Sequence, residues 1–101
     1  MVVAGGEVEG QSEEVKLVLR VWDDFCRLMG AEFVAVLDYY VGARLGMPVR
    51  EAVVCCPERL KEEICNVYCP AFWDMLLKII LRTAKKNGVS LRLVLDWFNE
   101  V

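Results

Sequence analysis

Five cysteines and no histidine are the most chemically suggestive feature of this 101-residue sequence. Four of the thiols fall close together, as the neighbours Cys55 and Cys56 and as the pair Cys65 and Cys69. Four thiolates around one ion would suit tetrahedral zinc. Adjacent cysteines seldom face the same metal, however, and the spacing departs from that of the common zinc knuckles. A second reading joins the Cys55-Cys56 turn to Cys65 or Cys69 by a disulfide, a device that intracellular proteins of hyperthermophilic archaea use. The simplest reading keeps every thiol reduced, as a small apolar side chain. Cys65 lies on the flank of its helix, outside the apolar stripe, and is expected to be partly exposed.

A nucleophilic thiol needs a base beside it, and the usual base is missing from this chain. Asp23-Asp24 and Glu62-Glu63 are adjacent on helices, so each pair diverges by about 100° and reads as solvated charge. Asp38 is different, because it interrupts an otherwise apolar segment. If buried, it needs a partner such as Arg44, Tyr39 or a helix end, and a structural contact explains it better than an acid catalyst does. No glycine-rich phosphate loop or nucleotide fingerprint occurs. The sequence therefore assigns no catalytic residue, no cofactor and no metal ligand, and the chain is not expected to be an enzyme.

The elements that carry these residues read as helices throughout. Ser12 is placed to cap a helix that runs to Met29, with Gly30 as its stop. Val15, Leu17, Val18, Val21, Trp22, Phe25 and Leu28 belong to an apolar arc about 200° wide, where a surface helix needs only a little over about 100°. The second helix, Ala31 to Leu45, is apolar on all sides, as a buried central helix is. Pro48 opens a short helical turn over Val49 to Val54, and Pro57 opens a fourth helix reaching Tyr68. Ala71 to Lys86 again carries a wide arc in two stripes. Phe72, Leu76, Ile79, Ile80 and Thr83 form one; Trp73, Leu77, Leu81 and Ala84 form the other. Ser90 caps a last helix holding Trp97. No segment alternates long enough for a strand. The expected fold is all-α: a compact bundle of five helices plus a short helical turn around a central apolar helix.

Composition limits the function further. With 56% hydrophobic residues against roughly 45–50% in ordinary domains, the chain carries an apolar surplus. Its apolar runs are too short and too interrupted for the roughly 20 residues of a membrane span. Residues 1–11 lack the pattern of a secretory signal and read as a disordered glycine-rich tail, leaving 12–101 as one domain. A cytoplasmic protein is expected. The net charge of −3 argues against nucleic acid, whose binders are usually basic. The exception is a local cluster of Lys78, Arg82, Lys85, Lys86 and Arg92, most simply explained by cations complementing a helix C-terminus.

From Phe33 to about Lys86 the chain resembles a family of small archaeal helical domains of unknown function, some described as output domains of signalling proteins. The residues that carry the likeness are Val36-Leu37, Leu45-Gly46-Met47, Pro57, Leu60, Ile64, Val67, Tyr68, Ala71, Leu76 and Ile79-Ile80. The family's glycine-rich corner before the helix at Ala71 is replaced here by Cys69-Pro70. The likeness implies an archaeal source and a regulatory or binding role, and it brings no catalytic residue.

Wide apolar arcs on several helices lead to a protein-interaction module, self-associating as a homodimer or meeting another protein. Trp73, Leu77, Leu81, Trp22 and Trp97 are the expected contact residues, since tryptophan is a common interface anchor. Two alternatives come from other classes. One is nucleic-acid binding through the Lys78 to Arg92 cluster. The other is a small ligand or metal held in an inter-helix cavity near Asp38, Tyr39 and Tyr40.

Overall fold

Caps and turn residues set the helix boundaries. The computed structural model describes residues 12–100; the expected tail over 1–11 lies outside them. Helix α1 (Glu13–Met29) opens on Ser12, whose hydroxyl accepts from the Val15 N–H at 3.2 Å, with Glu13 and Glu14 in the first turn. Both features satisfy or complement the exposed N–H groups of a helix start. Helix α2 covers 31–45 in three pieces: Ala31–Leu37, a wider π turn at Asp38–Gly42, and a last turn at Ala43–Leu45. Gly46 ends it in the left-handed region (φ 77°), where a side chain would be strained.

Helices α3 (Val49–Cys55), α4 (Pro57–Val67), α5 (Pro70–Lys86) and α6 (Leu91–Trp97) follow. Pro57 and Pro70 each occupy a first turn, where the missing N–H costs nothing. Ser90 caps α6 by accepting from the Leu93 N–H at 3.2 Å. The fold is an all-α bundle of six helices with no strand among the described residues. The segment read as a short helical turn is a two-turn helix in its own right. No helix among the described residues is long and apolar enough to cross a membrane.

Helix α5, not α2, carries the largest set of buried residues. Helix α5 lies against α1, α4 and α6, and Trp73, Leu76, Leu77, Ile80, Thr83 and Ala84 are all buried. The two wide arcs of α1 and α5 largely face each other, so Val18, Val21, Trp22 and Phe25 of α1 are buried as well. Helix α2 sends only Leu37, Val41, Gly42 and Leu45 inward. In a regular helix a strict four-residue step drifts by about 40° each time. The wider turn takes up that drift and keeps Leu37, Val41 and Leu45 in one line. Val36, Tyr39 and Tyr40 then point out of the bundle.

One buried polar contact follows from the sequence at the α3–α4 joint. The carbonyl of Val53 would ordinarily accept from the N–H four residues on, but that residue is Pro57, which has none. The indole of Trp97 donates to this carbonyl instead, at 2.7 Å, so α6 satisfies the group that the proline leaves open. Trp97→Phe keeps an aromatic ring but removes the N–H donor together with part of the indole's volume. It should lower stability by about 1–3 kcal/mol, read as an earlier urea midpoint at unchanged slope. An unmoved midpoint would mean that water satisfies Val53 equally well.

Candidate functional site

The outward face of α2 is the part of the surface that folding leaves apolar. Tyr39 is 72% exposed, Tyr40 53% and Val36 47%, and the small residues Ala35 and Ala43 beside them are exposed too. The two tyrosine rings meet edge to face, with centroids 4.9 Å apart, a favoured arrangement for aromatic pairs. The other large exposed apolar residues, Leu28, Tyr68, Met75 and Leu91, are spread over separate segments. Charge borders the α2 face through Glu32 near the start, the exposed Asp38 beside Tyr39, and Arg44, paired with Glu63 of α4, near the close.

The face is held in place by the π turn and by the loop after it. One carboxylate oxygen of Asp38 accepts from the N–H of Val49 at 3.0 Å. This satisfies the start of α3, where Pro48 offers no side-chain cap. A helix end was among the partners expected for Asp38, and the contact is a structural one. Gly42 stands where a Cβ would come within 3.1 Å of the Met47 carbonyl oxygen, so only glycine permits this approach without displacement. Arg59 of α4 adds a clamp from its guanidinium to the carbonyls of Arg44, at 3.1 Å, and Leu45, at 3.4 Å. Those carbonyls belong to the last turn of α2 and would otherwise lack partners.

Between α1, α2 and α3 lies a cavity of about 230 Å³. Trp22, Cys26, Val34, Leu37 and Val49 supply its apolar wall. Arg50 spans its rim in a two-pronged contact with Asp23, at 2.8 and 2.9 Å. The Arg50 hydrogen bond holds the Asp23 carboxyl below its ordinary range, against an opposing push from burial. The space is smaller than the roughly 300–1,000 Å³ of most ligand pockets. It reaches Asp38 but neither Tyr39 nor Tyr40, which the sequence had placed beside such a cavity. Burial first, then the charges of Asp23 and Asp38, push the Cys26 thiol in its wall up to about 11, which disfavours the thiolate at neutral pH.

Several expected contact residues lie inside the bundle. Trp22 is 3% exposed, Trp73 2% and Leu77 9%, so none of the three offers a contact surface; Leu81 and Trp97 are half-buried. Burial of the tryptophans is supported by partners for their rings and N–H groups. Trp22 packs on Phe25 at 5.1 Å between centroids. The Trp73 indole donates to Glu100 at 2.8 Å, and Lys61 approaches the same carboxylate at 2.6 Å.

The cysteines form no bridge, and all five are free. Cys56 and Cys65 are separated by nearly the whole of α4, nine helical steps or roughly 13 Å, where a disulfide needs Cα atoms within about 7 Å. Cys69 lies beyond the far end of the same helix. The four thiols consequently cannot gather around one zinc ion either. Cys65 is half-buried, in line with its place on the helix flank. What comes together instead is Cys55 with Cys56, Sγ to Sγ 2.8 Å, and Cys55 with the thioether of Met47 at 3.4 Å.

The cations of the basic cluster, Lys78, Arg82, Lys85, Lys86 and Arg92, are all exposed. Among the described residues no carboxylate pairs with any of them. Compared with protein-family models, curated proteins and solved structures, the chain finds no match in any of the three. Its surface has to be interpreted from its own residues.

Tyr39, Tyr40 and Met47 are the residues that sequence reasoning left unassigned to a surface. A tyrosine pair on a charge-poor helix was the available signal for the first two, since a phenol tolerates water where leucine does not. The Cys26 environment has a direct consequence. At pH 8 its thiolate fraction is about a hundredfold below that of a thiol with the ordinary value of 9.0. A short iodoacetamide pulse read by peptide mass spectrometry should label the exposed Cys55 and Cys69 ahead of Cys26, with Cys26 catching up as pH approaches 11. Equal labelling of Cys55 and Cys26 at pH 8 would contradict the burial assigned to Cys26.

Proposed function

We propose that this chain is a protein-interaction module that pairs with a second copy of itself through the outward face of α2. The observation that carries the reading is the run of exposed apolar residues Val36, Tyr39 and Tyr40 on one helix. Exposed apolar clusters mark interaction surfaces, and tyrosine is among the residues enriched there. In an antiparallel two-fold pair the tyrosines of the two copies would meet near the axis. Ala35 and Ala43 leave room for close approach of the two helices. The resemblance to output domains of signalling proteins is in keeping with such a role. A cytoplasmic location belongs to the same proposal and is supported by five free thiols, which suit a reducing compartment.

A second reading, nucleic-acid binding, is supported by one observation, the unpaired basic cluster from Lys78 to Arg92. The net charge of −3 weighs against it. Duplex binding at low salt that vanishes with Lys85→Glu/Lys86→Glu would favour it over self-association.

Sedimentation velocity over a range up to tens of micromolar tests the leading reading. Wild type should sediment as a dimer. Tyr39→Glu/Tyr40→Glu should weaken pairing by roughly thirtyfold or more, the about 2 kcal/mol of an interface hot spot. Helix content by circular dichroism should stay unchanged, because both side chains are already exposed. A wild-type monomer at the highest concentration, or a dimer indifferent to both substitutions, would overturn the proposal.

A further inference from the structure

Where α3 ends and α4 begins, three sulfur atoms from two parts of the chain converge. Cys55 is the last residue of α3 and Cys56 is the N-cap of α4. Met47 comes from the loop after α2, before α3 begins. The thiol of Cys55 donates to the Met47 thioether at 3.4 Å and lies 2.8 Å from the sulfur of Cys56. Cys55 is thus the middle sulfur of the three, in contact with both of the others.

We propose that Met47, Cys55 and Cys56 form a binding site for monovalent copper, with two thiolates and one thioether as ligands. The donor set decides the metal. Soft thiolate and thioether ligands select Cu(I). Zinc takes four donors, drawn from thiolate, imidazole and carboxylate. The chain has no histidine, and among the described residues no three side chains of the His, Cys, Asp or Glu types converge. The third ligand can only be the neutral methionine sulfur.

Binding balances as Cu⁺ plus two thiols giving a bis-thiolate copper centre of net charge −1 and two released protons. One feature lowers the cost of that negative charge: Cys56 sits at the N-terminus of α4, the positive end of the helix dipole. A metal about 2.3 Å from each sulfur, as metal–thiolate bonds are, needs sulfurs about 4 Å apart in a trigonal plane. The Cys55–Cys56 pair must therefore open by roughly 1 Å. Cys55 is exposed and free to turn, whereas Cys56 and Met47 are half-buried. The exposed thiol also gives copper its way in. This site is independent of the α2 docking face.

The test uses the reduced 101-residue chain under anaerobic conditions, titrated with Cu(I) against the chelator bathocuproine disulfonate. A Cys65→Ser/Cys69→Ser background removes the other close thiols. That background should withdraw one Cu(I) per chain and release two protons, and X-ray absorption should show three sulfur neighbours. Adding Cys55→Ser/Cys56→Ser should abolish the withdrawal. Adding Met47→Leu, which conserves volume, should weaken it by at least about tenfold, the loss that even an outer-shell change brings. Circular dichroism should show the same helix content in every variant. Failure of the background to take copper from the chelator would overturn the site. So would copper binding that survives Cys55→Ser/Cys56→Ser, an unchanged affinity in Met47→Leu, or Zn(II) held as tightly as Cu(I).

Discussion

The packing of the Asp38–Gly42 turn against the start of α3 is the constraint on which the rest of the surface depends. Asp38 supplies the acceptor that the Val49 N–H needs, because the proline before it cannot. Gly42 lets the Met47 carbonyl approach to a distance that a methyl group would obstruct. Together they fix the rotation of α2 about its own axis. With Leu37, Val41 and Leu45 turned inward, the remaining positions have nowhere to go but outward, and Tyr39 and Tyr40 are carried to the surface. The same contacts deliver Met47 toward the end of α3. The docking face and the sulfur corner are two consequences of one turn.

The tryptophans illustrate why a wide apolar arc is weak evidence for an exposed one. A 200° arc exceeds what a helix packed on a single neighbour can bury, but α5 has three. It lies against α1, α4 and α6, so most of its apolar arc finds neighbours while Asp74, Lys78, Arg82, Lys85 and Lys86 face solvent, and the arc of α1 packs against it. A buried tryptophan usually finds a partner for its N–H. Glu100 and the Val53 carbonyl meet those of Trp73 and Trp97. Burial tends to raise the Glu100 carboxyl, and the donors Lys61 and Trp73 outweigh it, leaving the group below its ordinary value. It therefore keeps its charge, and its grip on the Trp73 indole, well into the acidic range. The surplus of apolar residues that suggested an interface is thus mostly core, and the interface argument moves to a helix that carries less of it.

The helix boundaries were legible because their determinants are local. Ser12, Gly30, Gly46, Pro57 and Ser90 act on the backbone within a few residues of themselves, and each stands where its helix begins or ends. The role of Asp38 was legible as a need for some helix end, though not as Val49, which only the folded chain brings near. The placement of α2 was not legible. A helix without a charged face looks buried, yet periodicity assumes a regular turn, and a single π turn shifts every residue after it. The cysteine partners were hidden for a related reason. Nearness in sequence suggested Cys65 or Cys69, whereas the rigid length of α4 holds these away and the loop after α2 offers Met47.

The division of the molecule follows from where its side chains are locked. Helices α1 and α5, with α4 and α6 against them, hold most of the core and leave little freedom for either site. The end of α2 is fastened to α4 twice, by Arg59 to its last carbonyls and by Arg44 to Glu63. Both the tyrosine face and the sulfur corner are therefore mounted on a joint whose backbone is already ordered. Recognition from such a mount forgoes most of the entropy that a loop would lose on binding. A metal site gains similarly, since ligands already within a small rotation of their bound positions lose little freedom when the ion arrives. The exposed Cys55 side chain is the one ligand at the corner that has to turn to admit a metal and to let it go.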